Sequence, residues 1–189
     1  MANDGIIDGE PQRIRDYSSR YSNMVLIDEP IFFNRVIGLS KNAELSFSRL
    51  EDLKMLDLRI EYLRGSVWSK NNLIKATNKE HLSEVGSIEQ GINKLQRGRT
   101  DIFFALEVPI LKALHNKGLP TKDITIVGVA GQNISYPFIH KSHSGLAPAL
   151  AQAIKDMKTS GEYWRILQEV MPYMQKLEKE LTPLAIVNQ

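Results

Sequence analysis

Between positions 48 and 130 the spacing of apolar residues switches back and forth between helical and strand periods, and that switching predicts an order of elements. In "SRLEDLKMLD", Leu50, Leu53 and Leu56 recur at helical spacing behind a serine, whereas "LRIEYL" alternates as a strand does. "GSVWSKNNLIKAT" reads as a helix opened by Gly65-Ser66, followed by a short strand at "LSEV". "SIEQ" then has the form of a capping box, in which Ser87 and Gln90 each satisfy an orphan amide of a helix that runs to Gly98. The strand "TDIFFAL", the helix "EVPILKALHNKG" with its glycine stop, and the strand "DITIVGVA" complete the series. Strands alternating with helices of about three turns predict a mostly parallel sheet covered on both faces, hence one complete α/β lobe.

The flanks are built differently. "QRIRDYSSRYSN" reads as a short polar helix or turn and "MVLID" as a strand, which Glu29-Pro30 breaks before a second extended run, "FFNRVIGLS". Beyond the lobe, "ISYPFIHK" is extended, and "GLAPALAQAIKDMKTSG" and "EYWRILQEVMPYMQKLEKEL" are helical, with Pro172 set to kink or divide the second. Extended crossings near 32–40 and 134–141 therefore bracket the lobe, as in a chain that enters one domain from another and returns. The expected division is a complete lobe over 36–138 and a partial one from 1–35 and 139–189.

Composition narrows the chemistry. A net charge of +2 over 189 residues, evenly spread, gives no argument for nucleic acid or an anionic membrane. Cysteine is absent, which removes disulfides, thiolate metal sites and a cysteine nucleophile. "MANDGIIDGEPQRIRDYSSR" has neither the basic nor the apolar stretch of an export signal, and the apolar runs are too interrupted to span a bilayer. No Gly-x-Ser-x-Gly, P-loop or Gly-x-Gly-x-x-Gly motif occurs, and the carboxylates lie singly along helices, so nothing argues for bond-making chemistry, a metal or a cofactor.

Gly65-Ser66-Val67-Trp68 follows a strand directly and opens a helix. Its amides therefore point out of the carboxyl end of the strand, where open α/β sheets place ligands. Ser66 can donate its hydroxyl to an anion there, or serve only as the helix cap. The pair "HKSH" at 140–143 sets two histidines three apart with no third ligand near, and reads as a solvated loop.

The chain also writes Gly-x-x-Asp twice, in "GIIDG" near its front and in "GRTDI" after the third predicted helix. With "SRLEDL", "EYLRGS", "SIEQGINKLQRGRTDIFFA" and "YPFIHKSHSGLAPALAQAIKDMKTSGEYWRIL", these pieces resemble, in order and spacing, the type 2 periplasmic solute-binding proteins, in particular the amino-acid-type receptors of bacterial extracellular solute-binding protein family 3. The resemblance implies two lobes joined by two hinge strands, a periplasmic location, and closure over a small polar carboxylate-bearing solute such as an amino acid or organic acid. A membrane permease would be the partner of a complete relative. It also implies that units of the first lobe are missing, with weak or absent binding and a tendency to self-associate as the expected results.

By the same resemblance, the Gly65–Trp68 turn is where lobe two meets the ligand carboxylate, and Arg13 lies in the segment that carries a ligand-clamping arginine, with Arg15 a near competitor. The family often holds an ammonium with an aspartate shortly after the second Gly-x-x-Asp strand. Here that place reads Ala105-Leu106-Glu107, so that Glu107 is either a substitute or an acid that favours a helix start. Trp68 is an aromatic candidate for the ligand, while Tyr62, Tyr136 and Phe138 read as core. Two other readings on the same scaffold are a dehydratase-like enzyme, for which only Glu107 and His140 qualify as the base, and a ligand-sensing regulatory module.

Overall fold

In the computed structural model, which describes residues 1–119 and 123–173, the strands are β1 (Gly9–Ile14), β2 (Met24–Leu26), β3 (Phe32–Ser40), β4 (Ile60–Leu63), β5 (Leu82–Val85), β6 (Ile102–Leu106) and β7 (Thr125–His140). The helices are α1 (Tyr17–Arg20), α2 (Val67–Ala76), α3 (Ile88–Gln96), α4 (Glu107–Lys117), α5 (Ala147–Thr159) and α6 (Glu162–Val170). The chain divides into two compact units, one made of 1–34 with 133–171 and the other of 35–132 with 172–189. Strands β3 and β7 both run from one unit into the other.

In the second unit the strand order is β7-β3-β6-β4-β5. β4 lies parallel to both β5 and β6, with Tyr62 opposite Glu84 on one side and Phe104 on the other, whereas β3 is antiparallel to β6, with Val36 opposite Leu106. The sheet is therefore mixed rather than mostly parallel, because the incoming strand β3 is inserted beside β6. Side chains alternate across it. Ile37, Leu39, Phe103 and Ala105 pack against α3 and α4 through Ile92, Leu95, Ile110 and Leu114, while Val36, Ile60, Tyr62, Ile102 and Phe104 pack on the opposite face against Leu53 and Leu73. Both faces being covered explains why β6 reads as a continuous apolar run.

The first unit is smaller. β1 and β2 both pair antiparallel with the second half of β7, and α5 packs on α6. Tyr163 donates its hydroxyl to the carbonyl of Ile31 at 2.6 Å, and Lys158 bonds both Glu29 and the carbonyl of Pro30, which ties these helices to the loop before β3.

Three local expectations change. Of the segment 12–23, expected as a short polar helix or turn, Tyr17–Arg20 is helical, but residues 12–14 belong to β1, because the edge of β7 offers them ladder partners; a Cβ at Gly9 would collide with the Phe138 carbonyl, so glycine is what permits that approach. Residues Leu50–Met55 form a tighter 3-10 turn, started by the Asp52 carboxylate accepting from the amides of Arg49 (2.9 Å) and Ser48 (3.3 Å) and not by a serine cap. The segments "DITIVGVA" and "ISYPFIHK" belong to one strand of 16 residues. α6 stops at Val170, ahead of Pro172; residues 171–173 are not helical, and the rest of the helix expected beyond them falls outside the described residues. None of the described helices is long and apolar enough to cross a membrane.

Candidate functional site

Three parallel strands of the second unit end at one edge of the sheet, and each hands over to a helix: β4 to α2, β5 to α3, β6 to α4. The turn from β4 to α2 passes through Gly65 and Ser66. Gly65 has φ +86°, a conformation that a side chain would strain, and there is open space where its Cβ would stand. The Ser66 amide donates to the Leu63 carbonyl at 3.1 Å, closing the turn. Ser66 is the cap of α2: its hydroxyl accepts from the Ser69 amide at 3.3 Å and donates to the Ser69 hydroxyl at 2.7 Å. The amides of Val67 and Trp68 lie in the first turn, with no carbonyl inside the helix to receive them.

Val67 is 71% exposed, so this helix start is open to solvent. Trp68 is half-buried against the core and lies over β7 where a Cβ at Gly131 would collide with its ring. Glycine at 131 is the space in which the indole sits. The four residues Gly65 to Trp68 thus form one surface: an anion-favouring helix start flanked by an aromatic wall.

Glu107 stands at the same edge as the first residue of α4, but buried and not free. Arg35, on β3, donates Nε to its Oε2 at 2.8 Å and a second nitrogen to its Oε1, a two-pronged grip on the whole carboxylate. One strand further, the Tyr62 hydroxyl donates to Glu84 at 2.7 Å, and burial followed by this bond pushes the phenol up to about 12. Arg64 Nε lies 3.5 Å from the same carboxylate.

Arg13 belongs to the first unit. It pairs with Glu10 at 2.9 Å, lies over the Tyr17 ring, and lines a hollow of about 480 Å³ with Tyr17, Arg20 and Tyr21. Tyr17 most of all, and Glu10 after it, raise its guanidinium above the ordinary value. Arg15 instead pairs with Asp28 and covers the Tyr136 ring. Asp101 orients the entry to β6, accepting from the Arg59 amide at 2.7 Å and from its guanidinium. The exposed His143 reaches Asp8 at 3.1 Å, and among the described residues no cluster of three metal-ligating side chains occurs.

Sequence reasoning missed Arg35, which is 72 residues from its partner and is brought to it only by the β3–β6 register. The signal available was the one charged residue of the strand "FFNRVIGLS".

No family model matches the chain. An uncharacterized protein of Shewanella oneidensis is 28% identical over 169 residues, 89% of this chain and 64% of that protein, so the chain spans less than two thirds of that relative's length. Among solved structures, the L-cystine solute receptor of Neisseria gonorrhoeae in its unliganded open conformation has a TM-score of 0.68 at 17% identity, covering 89% of this chain and 69% of the receptor. The substrate-binding protein of an amino acid ABC transporter has a TM-score of 0.55 at 21% identity, covering 89% and 72%. Such identities speak to architecture alone, and the architecture agrees with the strand order and the crossing strands described above: the chain has the α/β fold of the type 2 periplasmic binding proteins.

Proposed function

We propose that this protein is a solute-binding receptor protein of a transport system, that it takes a small carboxylate-bearing solute at the start of α2, and that it does no bond-making chemistry of its own. The observation that carries the reading is the Gly65–Trp68 turn: two uncommitted amides and a hydroxyl cap beside a half-buried indole, where a strand meets a helix. The fold neighbours, which are binding proteins for amino acids, support it. In this reading the two units are the lobes, β3 and β7 are the hinge, and contacts made only in the shut form draw the equilibrium toward closure. Arg13 is proposed as a solute-binding residue of the first unit. The work is done in the periplasm, and a membrane permease receives the solute.

The chain has two tryptophans, and Trp164→Phe leaves Trp68 as the sole indole. Titrating that variant with acetate, propionate, glutarate, glycine, L-alanine and L-glutamate into the millimolar range is expected to give a saturable fluorescence change with at least one carboxylate. Adding Ser66→Gly, which costs a helix cap only a few tenths of a kcal/mol, is expected to weaken that response severalfold by removing the hydroxyl. A flat signal for all six compounds would overturn the reading.

A further inference from the structure

We infer that the solute is a carboxylic acid without an ammonium group, rather than an α-amino acid; the inference rests on the carboxylate reading above and narrows it. An ammonium entering this edge needs an oxygen acceptor bearing negative charge, because a cation taken out of water unpaired is costly. The acids that the topology brings to the edge are Glu84 near the end of β5, Glu89 in the first turn of α3, and Glu107 at the start of α4. Each is committed. Both oxygens of Glu107 are held by Arg35, with the carboxylate buried. Glu84 receives the Tyr62 hydroxyl and faces Arg64, and Glu89 is not without a partner either.

What remains at the edge is the helix starts. Those of α2, α3 and α4 all lie there, carrying the positive ends of three helix dipoles, while the guanidinium groups of Arg35 and Arg64 are taken up by Glu107 and Glu84. A carboxylate meets complementary charge at this edge. An α-ammonium, fixed next to its own carboxylate, is carried into the same field and meets at this edge only these three acids, each already partnered. Arg35 is thus the specificity-determining residue: by taking up Glu107 it withdraws the one acid that the chain places at the start of α4.

The test compares matched pairs on the Trp68 reporter, propionate against L-alanine and glutarate against L-glutamate. The acid lacking the amino group is expected to bind about tenfold more tightly than its amino counterpart, the price of one unpaired donor. Equal or tighter binding of the amino acids would overturn this inference and leave the carboxylate reading intact; silence from all four, with acetate and glycine silent too, would overturn the carboxylate reading, and this inference with it. Arg35→Met, which releases Glu107, is expected to narrow or invert the ratio. An unchanged ratio in a variant shown to be folded by circular dichroism would overturn the role given to Arg35, and if the variant does not fold, the wild-type ratios decide.

Discussion

Phe103→Ala is expected to destabilise the second unit by about 3–5 kcal/mol, the range for deleting a buried aromatic ring and leaving its cavity. Phe103 is fully buried in the middle of β6, packed with Ile37, Ile92, Leu95 and Ile110. Its ring lies so close beneath α3 that a Cβ at Gly91 would come within 2.6 Å of it. That glycine and that ring form a fitted pair, so the helix has no side chain with which to fill the hole from above. Amide hydrogen exchange at Phe104 and Ala105 reads the effect locally, without requiring the two units to unfold together. Exchange there should quicken by several orders of magnitude. Unchanged rates would mean that the core of this unit is not built on Phe103.

Lys94→Met is expected to destabilise by about 3 kcal/mol, the low end of the range for breaking a buried pair, for a different reason: it takes the charge partner from a buried carboxylate, while the lysine itself is partly exposed. Glu61 points from β4 to the face covered by α3, where its Oε1 receives the Lys94 ammonium and the Ser83 hydroxyl, the latter at 3.0 Å, while its Oε2 has no partner. Taking away the lysine leaves a carboxylate 3% exposed with one hydroxyl for company. Replacing both residues, Glu61→Leu with Lys94→Met, is expected to restore most of the loss, since apolar groups of similar size need no charge partner. Urea midpoints of the two single changes and the double change give the cycle. A harmless Lys94→Met would contradict the burial of the pair.

The elements of the second unit were legible because each carries a local signal. Ser87 accepts from the Gln90 amide at 3.2 Å, as a capping residue should, although Gln90 reaches back to the Gly86 amide at 2.8 Å and not to that of Ser87. Gly118 ends α4 in a left-handed conformation. What local pattern does not carry is pairing. The charged segment around Arg13 becomes a strand only because β7 passes beside it, and β3 separates β6 from β7 with nothing in its own apolar run to say so.

The same division holds at the candidate site. Gly65, Ser66, Val67 and Trp68 are contiguous, so their grouping at one helix start could be read directly. The state of Glu107 could not be read this way. An acid opening a helix fits the dipole whether or not it is paired, and what determines its chemistry is Arg35, which arrives through the β3–β6 register. Sequence left Glu107 open as a substitute for an ammonium partner; its ion pair with Arg35 is the ground of the inference that it does not serve as one.

In the proposed function the start of α2 is the seat of the ligand carboxylate. Following backbone amide resonances of isotopically labelled protein during a glutarate titration tests that directly. The expected result is that Val67 and Trp68 shift most among the residues of the second unit, and saturate together with the Trp68 fluorescence. Saturable binding with the largest shifts elsewhere in the unit, and with Val67 and Trp68 unmoved, would contradict it.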